Sequence, residues 1–201
     1  MKRFAVLSAG LLLLTSVVSA AVAAGERRVG VPGRGSRGPG AEQTVEGSAG
    51  GIRWTMPASW QVGPPQPMRA ATYTIPAAAG SEAGSCGVFY FGKNQGGTVD
   101  DNLTRWVGQF EGATAPTKAE RTIAGLKVHT ISVSGTYLAP SGPSMQSQGK
   151  KPGWTLSGAI VEAPEGLVFF KAVGPTPTMQ KAQADIEALL KSIVKAGATK
   201  A

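Results

Sequence analysis

The run Cys86-Gly87-Val88-Phe89-Tyr90-Phe91 decides the fold. Alternation along a strand puts Val88 and Tyr90 on one face and Phe89 and Phe91 on the other, so both sides are apolar. Such a strand needs cover on each face. That requirement points to a sheet between packing layers and argues against a sheet with one wet side.

The covering elements are legible outward from this run. Thr98 is a suitable helix N-cap with Asp101 three residues on, Asp100 and Asp101 favour the positive end of the helix dipole, and Gly112 suits the C-terminal stop. Val99, Leu103, Trp106 and Phe110 fall at i, i+4, i+7 and i+11, a stripe that should lie on the sheet. Upstream, Ile52, Trp54 and Met56 alternate with polar neighbours as far as Pro57, with Trp60 after a short turn. A second strand, 69–75, alternates Ala71, Tyr73 and Ile75 and is closed by Pro76.

Downstream, strands are expected over 121–123 and 126–137, turning at Ala124-Gly125. Two more, 154–162 and 167–173, flank Ala163-Pro164-Glu165-Gly166, where Pro presets a turn and Gly can supply a positive φ. Residues 138–153 read as a Ser, Pro, Gly and Gln loop too polar to pack, carrying Lys150 and Lys151. Thr176-Pro177 opens a last helix with Ala182, Ile186, Leu189 and Ile193 on one face. The order βββαββββα, rich in hairpins, predicts an α+β domain. Its core would be a largely antiparallel sheet of about six to seven strands with helices packed on opposite faces.

The chain ends read differently. Residues 1–24 have a Lys2-Arg3 n-region, an apolar stretch over 4–18 and small-residue cleavage motifs at Ala21-Val22-Ala23 or Val18-Ser19-Ala20, the pattern of a secretory signal peptide. The following Ala-rich stretch lacks the Cys that a lipoprotein would acylate. The expectation is therefore an exported protein, periplasmic or extracellular, without a transmembrane segment once the signal is removed. Residues 25–51 hold 9 Gly and 2 Pro in 27 positions and no aromatic residue, and read as a disordered Gly/Arg-rich linker. A single domain is expected over 52–196 and a flexible tail over 197–201.

The net charge of +8 falls to +5 from position 50 onward, where 14 Lys and Arg face 9 Asp and Glu. This is a modest bias toward anionic surfaces. The Arg34-Gly35 and Arg37-Gly38 pairs lack the interleaved aromatics of a nucleic-acid tail, and nucleic acid is not an expected partner.

The segments Trp54-Thr55-Met56-Pro57-Ala58-Ser59-Trp60 and Met68-Arg69-Ala70-Ala71-Thr72-Tyr73, and 88–92 followed by Gly96-Gly97 and the Arg105-Trp106 helix, resemble a group of uncharacterised bacterial exported proteins. Over about 50–195 the element order is similar to the PsbP-like α/β/α sandwich, named for a lumenal accessory subunit of photosystem II. That fold also occurs in a nuclear-import factor that binds a small GTPase. The resemblance implies a binding or assembly-assisting scaffold without catalysis of its own. No residue here matches a PsbP metal site position by position.

The chemistry that could be assembled is narrow. With one His and one Cys, neither a four-ligand zinc site of these residues nor a disulfide framework is available. His129 shares a strand face with Lys127, Ile131 and Val133, and no G-x-S-x-G elbow exists to supply a triad serine, so it reads as structural or surface. Cys86 reads either as a small buried apolar residue or as a thiol free for an intermolecular disulfide, and a thiolate pair with His129 is disfavoured by its apolar strand.

In Gly92-Lys93-Asn94-Gln95-Gly96-Gly97-Thr98 the Lys stands too early for a phosphate loop, and Asp100 and Asp101 would repel the anion. Asn102-Leu103-Thr104 matches a glycosylation sequon but lies within the helix. Most of the carboxylates have local explanations, while Glu162 and Glu111 are unassigned, so a glycosidase pair stays formally open. Trp54, Trp60, Trp106 and Trp154 read as core residues in preference to sugar platforms.

The function expected is that of a non-catalytic accessory or binding protein, with no cofactor and no metal. It would contact an unidentified protein or envelope component through a sheet edge or the 138–153 loop, where Lys150 and Lys151 are the candidate partner-binding residues. A small-ligand-binding protein or an envelope-polymer hydrolase is the alternative.

Overall fold

The computed structural model describes residues 44–141 and 146–197. The two-faced run forms β5 (Gly84–Tyr90), an inner strand of an eight-stranded sheet. The path across that sheet is β3 (Gln61–Val62), β4 (Ala71–Ile75), β5, β10 (Gly166–Pro175), β9 (Gln146–Ala163), β8 (Leu126–Ser141) and β6 (Phe110–Glu111), and β7 (Thr117–Ile123) also pairs with β8. A three-stranded sheet orders β1 (Glu46–Ala49), β2 (Ile52–Thr55) and β11 (Val194–Lys195). Every pairing among the described residues is antiparallel. The helices are α1 (Val99–Val107), α2 (Thr176–Lys181) and α3 (Gln183–Lys191), none of them long and apolar enough to cross a membrane.

Each face of the large sheet has its own core. On one, Leu103 and Trp106 of α1 pack with Ile131, Val133, Leu156, Ile160 and Phe169. On the other, Met179, Leu189, Leu190 and Ile193 join Ile52 and Trp54 of the small sheet over Val88, Val128, Val161 and Phe170. Val88 and Phe89 thus enter different cores, as strand alternation requires. Within the second core, the Trp54 and Phe170 rings meet edge to face at 5.1 Å and 86°, a geometry worth about 0.5–1.5 kcal/mol beyond area burial. The Trp54 indole N–H donates to the Tyr73 hydroxyl at 2.8 Å, which satisfies both buried polar atoms.

Several boundaries differ from the sequence reading. The expected linker reaches Gly51, yet β1 pairs with β2 from Glu46↔Thr55 to Ala49↔Ile52. Glycine there makes room: the Trp54 indole lies against the position that a Gly47 side chain would take. The expected 138–153 loop is mostly the extended β8–β9 hairpin, pairing Leu138↔Lys150 and Tyr137↔Lys151. Backbone ladders need no apolar side chains, so polarity misreads it. The first helix stops at Gly108, two residues before Phe110, which enters β6 while still reaching the α1 core. The last helix is two, α2 and α3, meeting at Ala182 with φ −81° and ψ −1°. The expected signal peptide, the linker as far as residue 43 and tail residues 198–201 lie outside the described residues.

Other local expectations match the structure. Thr98 caps α1, accepting from the Asp101 backbone N–H at 3.2 Å while its hydroxyl donates to the Asp101 carboxylate at 2.6 Å. Ala163 pairs with Gly166 around Pro164-Glu165, closing the β9–β10 hairpin.

Candidate functional site

One row of the sheet on the α1 side runs Thr72, Gly87, Lys171, Gly158 and Ile131 across β4, β5, β10, β9 and β8. Lys171 is flanked by two glycines. The Trp106 ring rests on Gly158, where any Cβ would collide with it. Over Gly87, the Arg69 guanidinium brings Nη1 to 3.3 Å from the position of an added Cβ, and its centre lies 5.3 Å from the Phe89 ring centroid. The missing side chains admit the Trp106 ring over Gly158 and, over Gly87, the edge of the Phe89 ring together with the Arg69 guanidinium.

Lys171 Nζ donates to Gln109 Oε1 at 2.6 Å and lies 3.4 Å from the Tyr137 hydroxyl and 5.6 Å from that ring's centroid. Burial, then the fields of Arg69 and Arg105, push its pKa down to about 8. Arg105, in the last turn of α1, donates to Asn102 Oδ1. Among the described residues no carboxylate pairs with Arg69, Arg105 or Lys171. Arg121, by contrast, is held by Glu187 at 2.7 Å. Burial pushes the Tyr137 hydroxyl up to about 12 against the opposing field of Arg69, so it is protonated at neutral pH.

Tyr137 also leads out along the β8–β9 hairpin. Its ring stacks on Trp154 at 5.8 Å and 8°, and Lys151 Nζ lies 4.2 Å from the centroid of the other ring. The structure therefore places one of the two lysines expected to bind a partner on the half-exposed Trp154 ring, which is backed by the buried Tyr137. Both lysines are engaged. Lys150 bonds Glu111 at 2.8 and 2.7 Å and Lys151 bonds Glu82 at 3.0 Å. Exposed pairs of this kind contribute only about 0–1 kcal/mol and can exchange for an acidic partner.

The other candidate residues are brought together differently. His129 Nε2 is 2.7 Å from Glu162 Oε1 and its Nδ1 is 3.3 Å from Glu120 Oε2, while Lys127 approaches Glu120 at 3.6 Å and Glu162 at 4.0 Å. This surface cluster and the Lys150–Glu111 pair explain the two carboxylates that the sequence leaves unassigned. Cys86 lies in the opposite core, its thiol pushed up to about 12 by burial, so it cannot meet the imidazole. Asn102 is buried, donating to the Gly96 and Thr98 carbonyls at 2.8 and 2.7 Å, which occupies the nitrogen that a glycan would need. Of the four tryptophans, Trp54, Trp60 and Trp106 are core, and Trp154 is the one that reaches the surface. Between α2–α3 and the sheet runs a groove of about 250 Å³ lined by Thr117, Thr130, Ser132, Ser157 and Gln183.

Lys171, Arg69 and Arg105 escaped the sequence reading. A signal existed: Lys171 is the single charge in Leu167-Val168-Phe169-Phe170-Lys171-Ala172-Val173, an inner strand apolar on both faces.

Among solved structures, the cyanobacterial PsbP (CyanoP) from Synechocystis sp. PCC 6803 is similar to this chain, with a TM-score of 0.50 and 12% sequence identity. The match covers 83% of this chain and 98% of that one. It establishes the PsbP-like fold that the element order implies. No protein-family model and no curated protein matches the chain.

Proposed function

We propose that this chain is an exported, non-catalytic accessory protein that docks an acidic partner in the cell envelope on the flank of the β8–β9 hairpin. The observation that carries this reading is the stack of Lys151 on Trp154 on Tyr137. A half-exposed indole that carries a cation and rests on a buried tyrosine has the composition of an interface hot spot. The signal-like residues 1–24 support export, and the net positive domain supports an acidic partner. The PsbP-like fold fits an accessory role by analogy.

The test places a photo-crosslinking side chain at position 151 in the native envelope, with position 191 on the exposed side of α3 as control. A discrete crosslinked species from 151 alone, lost in Trp154→Ala, is the expected result. Equal products from both positions would defeat the reading.

The groove under α2–α3 favours a second reading, small-ligand binding, because seven hydroxyl or amide side chains and Glu187 converge on it. Ser157→Leu would abolish such binding and leave crosslinking at 151 intact.

A further inference from the structure

We propose that Arg69, Arg105 and Lys171 form a binding site for a doubly charged oxyanion of the phosphate class, adjoining the hairpin docking surface at Tyr137. The three cations come from three elements: Arg69 precedes β4, Arg105 closes α1 and Lys171 stands in β10. Register brings Arg69 to Lys171, since Gly87, beside which the Phe89 ring and Arg69 Nη1 both lie, is the cross-strand partner of Lys171. Arg105 stands four residues before Gln109, which accepts from the Lys171 ammonium. Their fields reach the same atoms: Arg69 and Arg105 both act on the Lys171 ammonium, and Arg69 also acts on the Tyr137 hydroxyl.

The neutral groups facing the ammonium are Gln109 and Tyr137, each able to donate a hydrogen bond to an oxyanion. Glu82 and Glu111 are held by Lys151 and Lys150, and Asp101, one helical turn before Arg105 on α1, accepts from the Thr98 hydroxyl.

Charge decides the class of ligand. A single carboxylate would leave two of the three cations unneutralised. A phosphate dianion offers oxygens to a guanidinium fork and an ammonium at once. A half-buried ammonium beside two guanidiniums lowers the stability of the empty protein. Retaining such a charge where an apolar side chain would fit is the pattern expected of a functional site.

The experiment titrates the purified full chain with inorganic phosphate at pH 7 by isothermal calorimetry, with glycerol 3-phosphate and acetate as parallel probes. Saturable phosphate binding is expected, weakened about tenfold or more in Lys171→Met and in Arg69→Gln and unchanged in Lys191→Met. Lys171→Met should also melt at a higher temperature than the parent, so that lost binding cannot be ascribed to unfolding. Binding of glycerol 3-phosphate as tight as that of phosphate would identify the terminal phosphate of an ester as the source. Preference for the inorganic ion would identify the free anion. Absent saturation with both phosphates, equal affinity for acetate, or undiminished binding in both variants would overturn the site. Crosslinking from position 151 is expected to survive Arg69→Gln, which separates failure here from failure of the docking reading.

Discussion

Lys171 Nζ meets the Gln109 side-chain oxygen at 2.6 Å, so a half-buried ammonium is answered by an amide where a carboxylate would neutralise it. The consequence is a pH dependence with a definite sign. The folded-state pKa of about 8 lies below the ordinary 10.5, so between these values the unfolded chain holds a proton that the folded chain has released. Stability should therefore rise as pH climbs from about 8 to about 10.5, by roughly 1–2 kcal/mol after allowing for partial exposure. Urea denaturation at pH 7.5, 9 and 10.5 measures it. In Lys171→Met that increment should vanish. A parent curve falling by the same amount as the variant's would contradict the assignment.

Trp106 and Gly158 make a second test. With the indole resting where a side chain would begin, even a methyl group forces α1 away from the sheet. Gly158→Ala should destabilise the fold by about 1–3 kcal/mol, seen as a lower urea midpoint with an unchanged slope. A midpoint equal to the parent's would show that the helix yields freely.

Cys86 should be inert in the folded protein. It is 2% exposed, and its thiol is held up at about 12 by burial. A chromogenic disulfide reagent should react at the rate of global opening under native conditions and at once in denaturant. Rapid labelling of the native state, or a disulfide-linked dimer on non-reducing gels, would restore the intermolecular reading.

Of the candidate site, the sequence supplied Lys150 and Lys151 but hid what surrounds them. Their carboxylate partners Glu111 and Glu82 lie 39 and 69 residues away, and no local pattern encodes such a distance. Lys171 was visible as a lone charge in an apolar strand, but Arg69 and Arg105 gain meaning only when register and helix docking bring them to it. Composition misleads at Gly47, which reads as part of an entropic tether although it serves the close approach of Trp54. It misleads again along 138–153, where polar side chains ride on a paired backbone.

By itself the sequence determined the two-sided sheet and its covering layers, because burying alternate apolar side chains is a local requirement written with periods of two and 3.6 residues. It determined the Thr98 cap and the Pro164-Glu165 turn for the same reason, each being settled within a few residues. Tertiary structure alone decided which cations converge, which acids stay away from them, and which glycines are spaces for rings. Those outcomes depend on strand register and on helix docking between residues far apart in the chain, and free energy at that range belongs to the assembled sandwich and to no single segment.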